Sequence, residues 1–296
     1  MIYVLLILSL AGIVYGADYL VAGSVAVARR YRISDFVIGA AIVGIGTSMP
    51  ELTVSFLGAL QGNSEVAIGN VVGSNIFNVL GILGLTALFF PIAVTRANLK
   101  FEIPVCIFVS ALLALLTFNF FTGGPATLSR PDGWILLTVF AAFMWYSFYN
   151  DRKNPSDNIE SQKSSPLPPI WISALKIVGG LTLLILSCDI FIDNAVIVAR
   201  KLGLSDAFIS ITLIACGTSL PELAASIMAA LKKNTQLALG NILGSNIFNI
   251  CLILGLSSQV IPLSSPDIPF RDYLWMIGAA AAPLIFGLRG RISRLS

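Results

Sequence analysis

The sequence predicts an all-α, polytopic membrane protein built from two inverted-topology repeats of five transmembrane helices, with the tenth helix missing from this chain. Three observations predict this fold. The composition is 56% hydrophobic and only 11% charged, with a mean hydropathy of +0.89, so the chain lacks the polar surface that a water-soluble domain needs. Apolar runs of about 20 residues recur along the chain. The first half of the sequence also returns in the second half.

The apolar runs predict nine membrane-spanning helices. Each run is long enough, at about 1.5 Å per residue, to cross a hydrocarbon core of about 30 Å. The first run has no basic segment before it and resembles a later internal segment, so we interpret it as a retained helix and not as a cleaved signal peptide. The nine predicted spans are 2–28, 36–60, 66–91, 101–121, 133–149, 170–199, 207–231, 237–261 and 270–288.

Lysine and arginine residues between the spans predict the orientation. They concentrate in alternate connections, such as Arg29 and Arg30 after the first span and Lys232 and Lys233 after the seventh. Because positive charge is retained on the cytoplasmic side, we predict a multi-pass protein of the cell membrane with an extracellular N-terminus. The net charge of +3 reflects this topology and gives no support to a nucleic-acid partner.

One long polar stretch, residues 150–169, divides the chain. Its proline, serine and charged residues predict a cytoplasmic linker without a core of its own. We therefore divide the protein into a first inverted repeat of five helices, residues 1–149, the linker, and a second inverted repeat, residues 170–296, in which four helices are present.

The two halves match without a gap at an offset of 171 residues, which separates Glu51 from Glu222. Roughly four positions in ten between residues 18 and 85 are identical to their partners, which indicates a duplicated structural unit. Five spans separate equivalent points, and an odd number reverses the direction of the chain in the membrane. Inverted repeats of this kind bind their substrate near the bilayer midplane, where the halves meet.

The same offset applied to the fifth span predicts a tenth helix at about residues 304–320, beyond Ser296. Two interpretations stay open at this stage. The protein naturally lacks its last helix, or this chain is part of a longer protein. We favour the second.

The most informative repeated motif places a carboxylate beside a proline in an apolar segment. Residues 46–51 read GTSMPE and residues 217–222 read GTSLPE. An ionisable side chain at the bilayer centre costs about 2.5–3.5 kcal/mol on insertion scales and normally faces a protein interior or a wet cavity. Glu51 and Glu222 are therefore functional candidates.

The prolines add backbone oxygens to the candidate site. Pro50 and Pro221 have no N–H, so each leaves a carbonyl in the preceding turn, that of Gly46 or Gly217, without its helical partner. Broken backbone at membrane depth is tolerated only where it is buried in protein or lines a cavity. Transporters use such carbonyls to hold ions, so the two motifs predict a cation pathway.

Hydroxyl and amide side chains at helical spacing accompany each glutamate. Together they form a set of hard oxygen ligands, in a chain without histidine, which suits calcium, magnesium, manganese or sodium and argues against zinc or copper. Asn75 and Asn246 lie off the polar stripe and fit a site role and a helix contact equally well. Besides the glutamates, the candidates are Thr47, Ser48, Thr218, Ser219, Ser74, Asn78, Ser245 and Asn249.

The motifs GTSMPEL and GTSLPEL, each followed by GN-x-x-GSNIFN, resemble the two alpha repeats of the calcium/cation antiporter superfamily, in the form of its prokaryotic sodium/calcium exchangers. The resemblance covers both halves. It implies ten helices in two inverted halves and export of calcium driven by extracellular sodium. It also implies that Glu51 and Glu222 bind calcium and sodium, together with the hydroxyl and amide candidates and the backbone carbonyls of Gly44 and Ala215.

One departure concerns Asn249, where some microbial and potassium-dependent relatives carry an aspartate. The missing third carboxylate argues against potassium dependence and leaves the ion stoichiometry open. The chain also has no counterpart of the large calcium-sensing insert of the animal proteins.

Four functions are compatible with these residues. Sodium/calcium antiport fits best, with sodium and calcium ions as substrates and membrane lipid as the surroundings. A proton-coupled antiporter for calcium or another divalent cation would use the same acidic residues. An intramembrane metal-dependent hydrolase is disfavoured by the missing histidines, and a passive channel by the inverted repeats. We expect no enzyme activity, no cofactor and no protein or nucleic-acid partner.

Overall fold

The structure is a computed structural model that describes residues 2–118, 125–153, 167–203 and 216–293. The described part is mainly helical, as predicted. Five helices, or six with one bent pair counted as a single span, are long and apolar enough to cross a membrane. The helices are α1 Ile2–Tyr31, α2 Asp35–Thr47, α3 Met49–Leu60, α4 Ser64–Phe89, α5 Asn98–Thr117, α6 Arg130–Lys153, α7 Ile170–Lys201, α8 Leu220–Leu231, α9 Thr235–Val260 and α10 Phe270–Gly287.

The second predicted span is broken where its proline requires it. Ser48 leaves the helical conformation, with φ −83° and ψ 10°, and Pro50 lies in the first turn of α3. The axes of α2 and α3 differ by 50°. The second half repeats this geometry, because Ser219 has φ −92° and ψ 7° and Pro221 lies in the first turn of α8. The broken backbone predicted from the prolines is thus confirmed in the first half. In the second half the described residues show the same non-helical serine before α8, and residues 204–215 lie outside the described part of the chain.

Several predicted features fall outside the described residues. The middle of the linker, residues 154–166, is one of them, and the start of the span predicted at 207–231 is another. The predicted tenth helix would follow Ser296 and stays a prediction. The other predicted helix bounds agree with the observed ones to within a few residues.

The turns between helices retain the 171-residue repeat. Arg32, after α1, has φ 55° and its equivalent Gly203, after α7, has φ 79°. Gly62, after α3, has φ 78° and its equivalent Lys233, after α8, has φ 60°. In each pair one half uses glycine, which adopts this left-handed conformation easily, and the other half uses a basic residue. The backbone geometry therefore persists where the side chain has changed.

The helices α4 and α9 share a widened segment. Hydrogen bonds that span five residues replace the usual four over Phe77–Leu83 in α4 and over Asn249–Leu254 in α9. The two segments end at equivalent positions. Such wide turns are frequent at functional sites, and these contain Asn78 and Asn249, two of the predicted ligands.

Helix α9 forms the centre of the molecule, with 94% of its membrane-spanning window buried. It packs closely against α2 of the other half. Gly240 lies against the Phe36 carbonyl, and a Cβ atom at Gly244 would lie only 2.5 Å from Ala40 Cα. These two glycines allow the backbones to meet, so residues of α2 reach polar groups on α9.

Helices α1 and α7 form a separate pair on the outside, with 28% and 22% of their windows buried. They cross where each offers a glycine. A Cβ atom at Gly16 would lie 2.7 Å from Leu184 N, and one at Gly180 would lie 2.6 Å from Leu20 N. Any larger side chain at the crossing would push the two helices apart.

Two short antiparallel strand pairs join connections of the two halves. Strand β1, Ile92–Ala93, pairs with β4, Arg291–Ile292, and strand β2, Thr127–Leu128, pairs with β3, Leu263–Ser264. The sequence analysis did not predict these strands, because two residues carry no recognisable pattern.

Candidate functional site

The two predicted glutamates begin equivalent helices at the centre of the protein. Glu51 lies in the first turn of α3 and Glu222 in the first turn of α8, and both side chains are fully buried. The N-terminus of a helix favours negative charge. Both carboxylates lie where the two halves meet, because each one contacts a serine of the opposite half.

Each carboxylate is held by a hydroxyl from the opposite repeat. Ser48 Oγ donates to Glu222 Oε1 at 2.7 Å, and Ser219 Oγ donates to Glu51 Oε1 at 2.9 Å. Hydrogen bonds to an ionised acceptor are stronger than neutral ones. The two serines therefore link the halves to each other, and each half supplies one carboxylate and the serine that holds the other carboxylate.

The remaining carboxylate oxygens have no hydrogen-bond donor among the described residues. These are Glu51 Oε2 and Glu222 Oε2, and both are buried. The amide oxygens Oδ1 of Asn78 and Asn249 are likewise buried and receive no donor from the described chain. Because an unsatisfied buried acceptor costs about 1–3 kcal/mol and more when charged, this arrangement calls for a positive ligand.

The four oxygens come as two equivalent pairs. Two come from each repeat at equivalent positions, and two are charged. Over the described ranges, no group of three or more histidine, cysteine or acidic side chains could hold a metal. Carboxylate and amide oxygens are the ligands of hard cations.

Four asparagines cross-link α4 and α9 beside these oxygens. Asn75 Nδ2 donates to the Asn246 carbonyl and Asn246 Nδ2 donates to the Asn75 carbonyl, each at 3.1 Å. Asn78 Nδ2 donates to Asn246 Oδ1 at 3.0 Å, and Asn249 Nδ2 donates to Asn75 Oδ1 at 3.3 Å. The two asparagines that the sequence left undecided therefore lie at the centre of the contact between the repeats.

The Gly44 carbonyl, a predicted ligand, is buried beside the site and already accepts hydrogen bonds. Ser48 N, Ser245 Oγ and Thr47 Oγ1 donate to it at 3.1, 3.3 and 3.4 Å. Thr47 Oγ1 also lies 3.3 Å from Asn241 Oδ1. The predicted hydroxyls of Thr47 and Ser245 are thus fully buried and meet at this carbonyl.

The remaining predicted residues are Ser74, Thr218 and Ala215. Ser74 is buried, and Thr218 is half-buried in the turn before α8. Ala215 lies outside the described residues. The prediction of a free carbonyl at Gly217 is wrong, because a tighter turn lets Leu220 N donate to it at 3.2 Å.

Asn70 and Asn241 hold the glutamate-bearing segments in place. Asn70 Nδ2 donates to Ser55 Oγ at 3.0 Å and to the Glu51 carbonyl at 3.3 Å. Asn241 Nδ2 makes the same contacts in the second half, with Ser226 Oγ at 2.9 Å and the Glu222 carbonyl at 3.2 Å. The sequence analysis did not assign this role, although the repeated Gly-Asn of both motifs was a signal for it.

A proline-broken segment beside a buried glutamate, crossed contacts between the two repeats and buried oxygens without donors in the described chain are features of ion transporters. Comparison with known proteins agrees. The chain belongs to the family described as sodium/calcium exchanger protein, whose model matches residues 1–149 and 172–296. It is therefore a multi-pass membrane protein of a family of cation antiporters.

Two relatives match nearly the whole chain. CaxA of Alkalimonas amylolytica, named as a candidate antiporter, is 39% identical over 99% of this chain and 92% of its own length. The sodium/calcium exchanger MaX1 of Methanosarcina acetivorans is 33% identical over 96% of this chain and 90% of its own length.

A solved structure shares the fold. The sodium-calcium exchanger NCX_Mj, soaked with zero Na⁺ and Ca²⁺, superimposes with a TM-score of 0.83 at 31% identity, over 99% of this chain and 93% of that chain. The same exchanger soaked with 2.5 mM Na⁺ and 1 mM Sr²⁺ gives a TM-score of 0.82 at 32% identity, with the same coverage. The predicted fold class and superfamily are thus confirmed.

Proposed function

We propose that this protein is a secondary active antiporter that exchanges sodium for calcium across the membrane by alternating access. One observation carries the proposal. Four buried oxygens, Glu51 Oε2, Glu222 Oε2, Asn78 Oδ1 and Asn249 Oδ1, receive no hydrogen bond from the described residues. Two negative charges and two amide oxygens suit one calcium ion, which prefers oxygen ligands at about 2.3–2.6 Å.

The charge of the site explains why transport is an exchange. When no cation is bound, two carboxylates face each other in a buried, low-dielectric place, which is costly. One calcium ion or a set of sodium ions neutralises the carboxylates and allows the protein to switch between its outward-facing and inward-facing conformations. An empty site blocks this change, so one ion leaves only when the other takes its place.

The surrounding oxygens complete the proposed ion sites. The hydroxyls of Ser48 and Ser219 hold the carboxylates, and those of Thr47 and Ser245 meet at the Gly44 carbonyl. We assign this outer group to the sodium ions, whose ligands overlap those of calcium. The full proposed set is Glu51, Glu222, Thr47, Ser48, Thr218, Ser219, Ser74, Asn78, Ser245, Asn249, Gly44 and Ala215.

The relatives support the choice of ions. MaX1 is named a sodium/calcium exchanger, and the structures of NCX_Mj are described as soaked with sodium and with calcium or its substitute strontium. We propose the same substrates for this chain. We also propose that it lies in the cell membrane, with its N-terminus outside and residues 150–169 in the cytoplasm.

The test is calcium uptake into vesicles that contain the purified protein. An outward sodium gradient should drive uptake of radioactive calcium, and a proton gradient at equal voltage should not. Raising sodium on the calcium side should lower the apparent calcium affinity, because the ligands overlap. Uptake that depends on the proton gradient and not on sodium would show that protons, and not sodium ions, are the coupling ion. Calcium affinity that is unchanged at saturating sodium would contradict shared ligands.

A further inference from the structure

We infer that Asn75 and Asn246 are positioning residues that fix which end of the neighbouring amides, those of Asn78 and Asn249, faces the ion. The inference rests on the proposed function, because it assigns the ion as the group that these amide oxygens meet. It concerns two side chains that are themselves almost fully buried, 1% and 2% exposed.

The orientation of the Asn78 amide follows from the backbone carbonyl of Asn75. A backbone carbonyl can only accept a hydrogen bond, so the end of the Asn246 amide that lies 3.1 Å from the Asn75 carbonyl must be the Nδ2 donor. Asn246 Oδ1 is then the other end, and it too can only accept. The nitrogen of Asn78 therefore has to point at it, at 3.0 Å. Asn78 Oδ1 is left as the free end of the amide, and it is buried without a donor from the described residues.

The second repeat contains the same chain of contacts in reverse. The Asn246 carbonyl fixes the Asn75 amide at 3.1 Å, and Asn75 Oδ1 takes the nitrogen of Asn249 at 3.3 Å. Asn249 Oδ1 is left over, and it is buried without a donor from the described part of the chain, as is Asn78 Oδ1. Asn246 thus acts as the clamp of Asn78, and Asn75 as the clamp of Asn249. Each clamp lies in the opposite repeat from the asparagine that it orients.

Without its clamp, an asparagine has two ends of nearly equal size and can present either one. An NH₂ group turned toward a calcium ion repels it, whereas Oδ1 binds it. Loss of one clamp should therefore lower calcium affinity by about tenfold, the value of one neutral hydrogen bond or slightly more. The maximal exchange rate at saturating calcium should change little.

Rescue by a carboxylate distinguishes positioning from a packing role. Aspartate has oxygen at both ends, so it needs no orientation. Asn246→Leu should lower the calcium affinity, and adding Asn78→Asp should restore it. In the protein with an intact clamp, Asn78→Asp should bring no such gain, because it sets an oxygen against Asn246 Oδ1. Asn75→Leu should be rescued by Asn249→Asp in the same way.

The experiment measures the KM for calcium and the maximal rate of sodium-driven exchange for the full-length variants in vesicles. Crosswise rescue is the expected result: Asn78→Asp restores only Asn246→Leu, and Asn249→Asp restores only Asn75→Leu. Rescue by both aspartates alike, or by neither, would overturn the inference. Asn194→Leu, at a buried asparagine of α7 that bonds within its own helix, is the matched control and should leave the KM unchanged.

Two further outcomes are distinguished: a variant that does not fold, and a failure of the proposed function itself. If Asn246→Leu does not fold, as judged by gel filtration, Asn246→Ser is used, because its short hydroxyl cannot hold both partners and the same crosswise pattern is expected. If the unmodified protein shows no sodium-driven calcium exchange, the proposed function fails. If that protein exchanges the ions and the rescue is not crosswise, only the positioning role fails.

Discussion

Changing Glu51 to glutamine removes half of the charge of the proposed site and keeps its shape. The carboxylate is fully buried, with one oxygen bonded to Ser219 at 2.9 Å and the other without a donor in the described chain. In the variant, one charge of a bound calcium ion has no partner. Removing one partner of a buried charge pair costs about 3–5 kcal/mol. At a factor of ten for about every 1.4 kcal/mol, calcium affinity should fall by about two to four orders of magnitude.

The measurement is calcium titration of the purified variant together with sodium-driven uptake in vesicles. We expect a folded protein without measurable exchange at calcium concentrations that saturate the unmodified protein. Glu65→Gln is the matched control, because Glu65 also lies in the first turn of a helix, α4, but at the half-buried edge of the protein. Calcium affinity of Glu51→Gln within tenfold of the unmodified protein would remove this glutamate from the site.

Three further predictions concern the frame around the site. Ser219→Ala deletes a hydrogen bond to a charged, buried acceptor, so the free energy of unfolding measured by thermal denaturation should fall by about 1.5–3 kcal/mol. An unchanged melting curve would contradict the contact. Gly180→Ala should destabilise the protein by about 1–3 kcal/mol because its Cβ would lie 2.6 Å from backbone of α1. At the neighbour Gly179, a Cβ would meet no described atom within 4 Å beyond its own helix backbone, so alanine should be accepted there without loss. Cysteines introduced at Ser161 and at Asn63, in a protein without its native cysteines, should react with impermeant labels from opposite sides of the membrane, and labelling of both from one side would refute the predicted topology.

The sequence was sufficient for the fold because hydropathy and the repeat act over long segments. Runs of apolar residues gave the helix positions, and Pro50 and Pro221 gave the break at each motif. The two strand pairs were missed because their partners are far apart in sequence, as with Ile92 and Ile292. Such short pairings form only when the two halves dock, and no local sequence pattern predicts how they dock.

The site was predicted as a set of residues but not as a set of contacts. Helical spacing put Thr47, Ser48 and Glu51 on one face, which holds for a continuous helix. The bend at Ser48 separates them, so Thr47 turns to α9 and Ser48 to the opposite glutamate. Asn75 was undervalued for a related reason: it is offset from the polar stripe of its own helix, and only the docking of the two repeats shows that it contacts Asn246.

The crossed contacts have the form of an interface between two identical subunits. At a two-fold interface, a contact between one pair of residues is accompanied by the reciprocal contact. The pairs Ser48 with Glu222 and Ser219 with Glu51 obey this rule, and the bonds between Asn75 and Asn246 join a residue to its own equivalent. A single-repeat ancestor that entered the membrane in both orientations would have built the same oxygen site as a dimer. Fusion of two such copies would fix their opposite orientations in one gene and leave each half free to diverge.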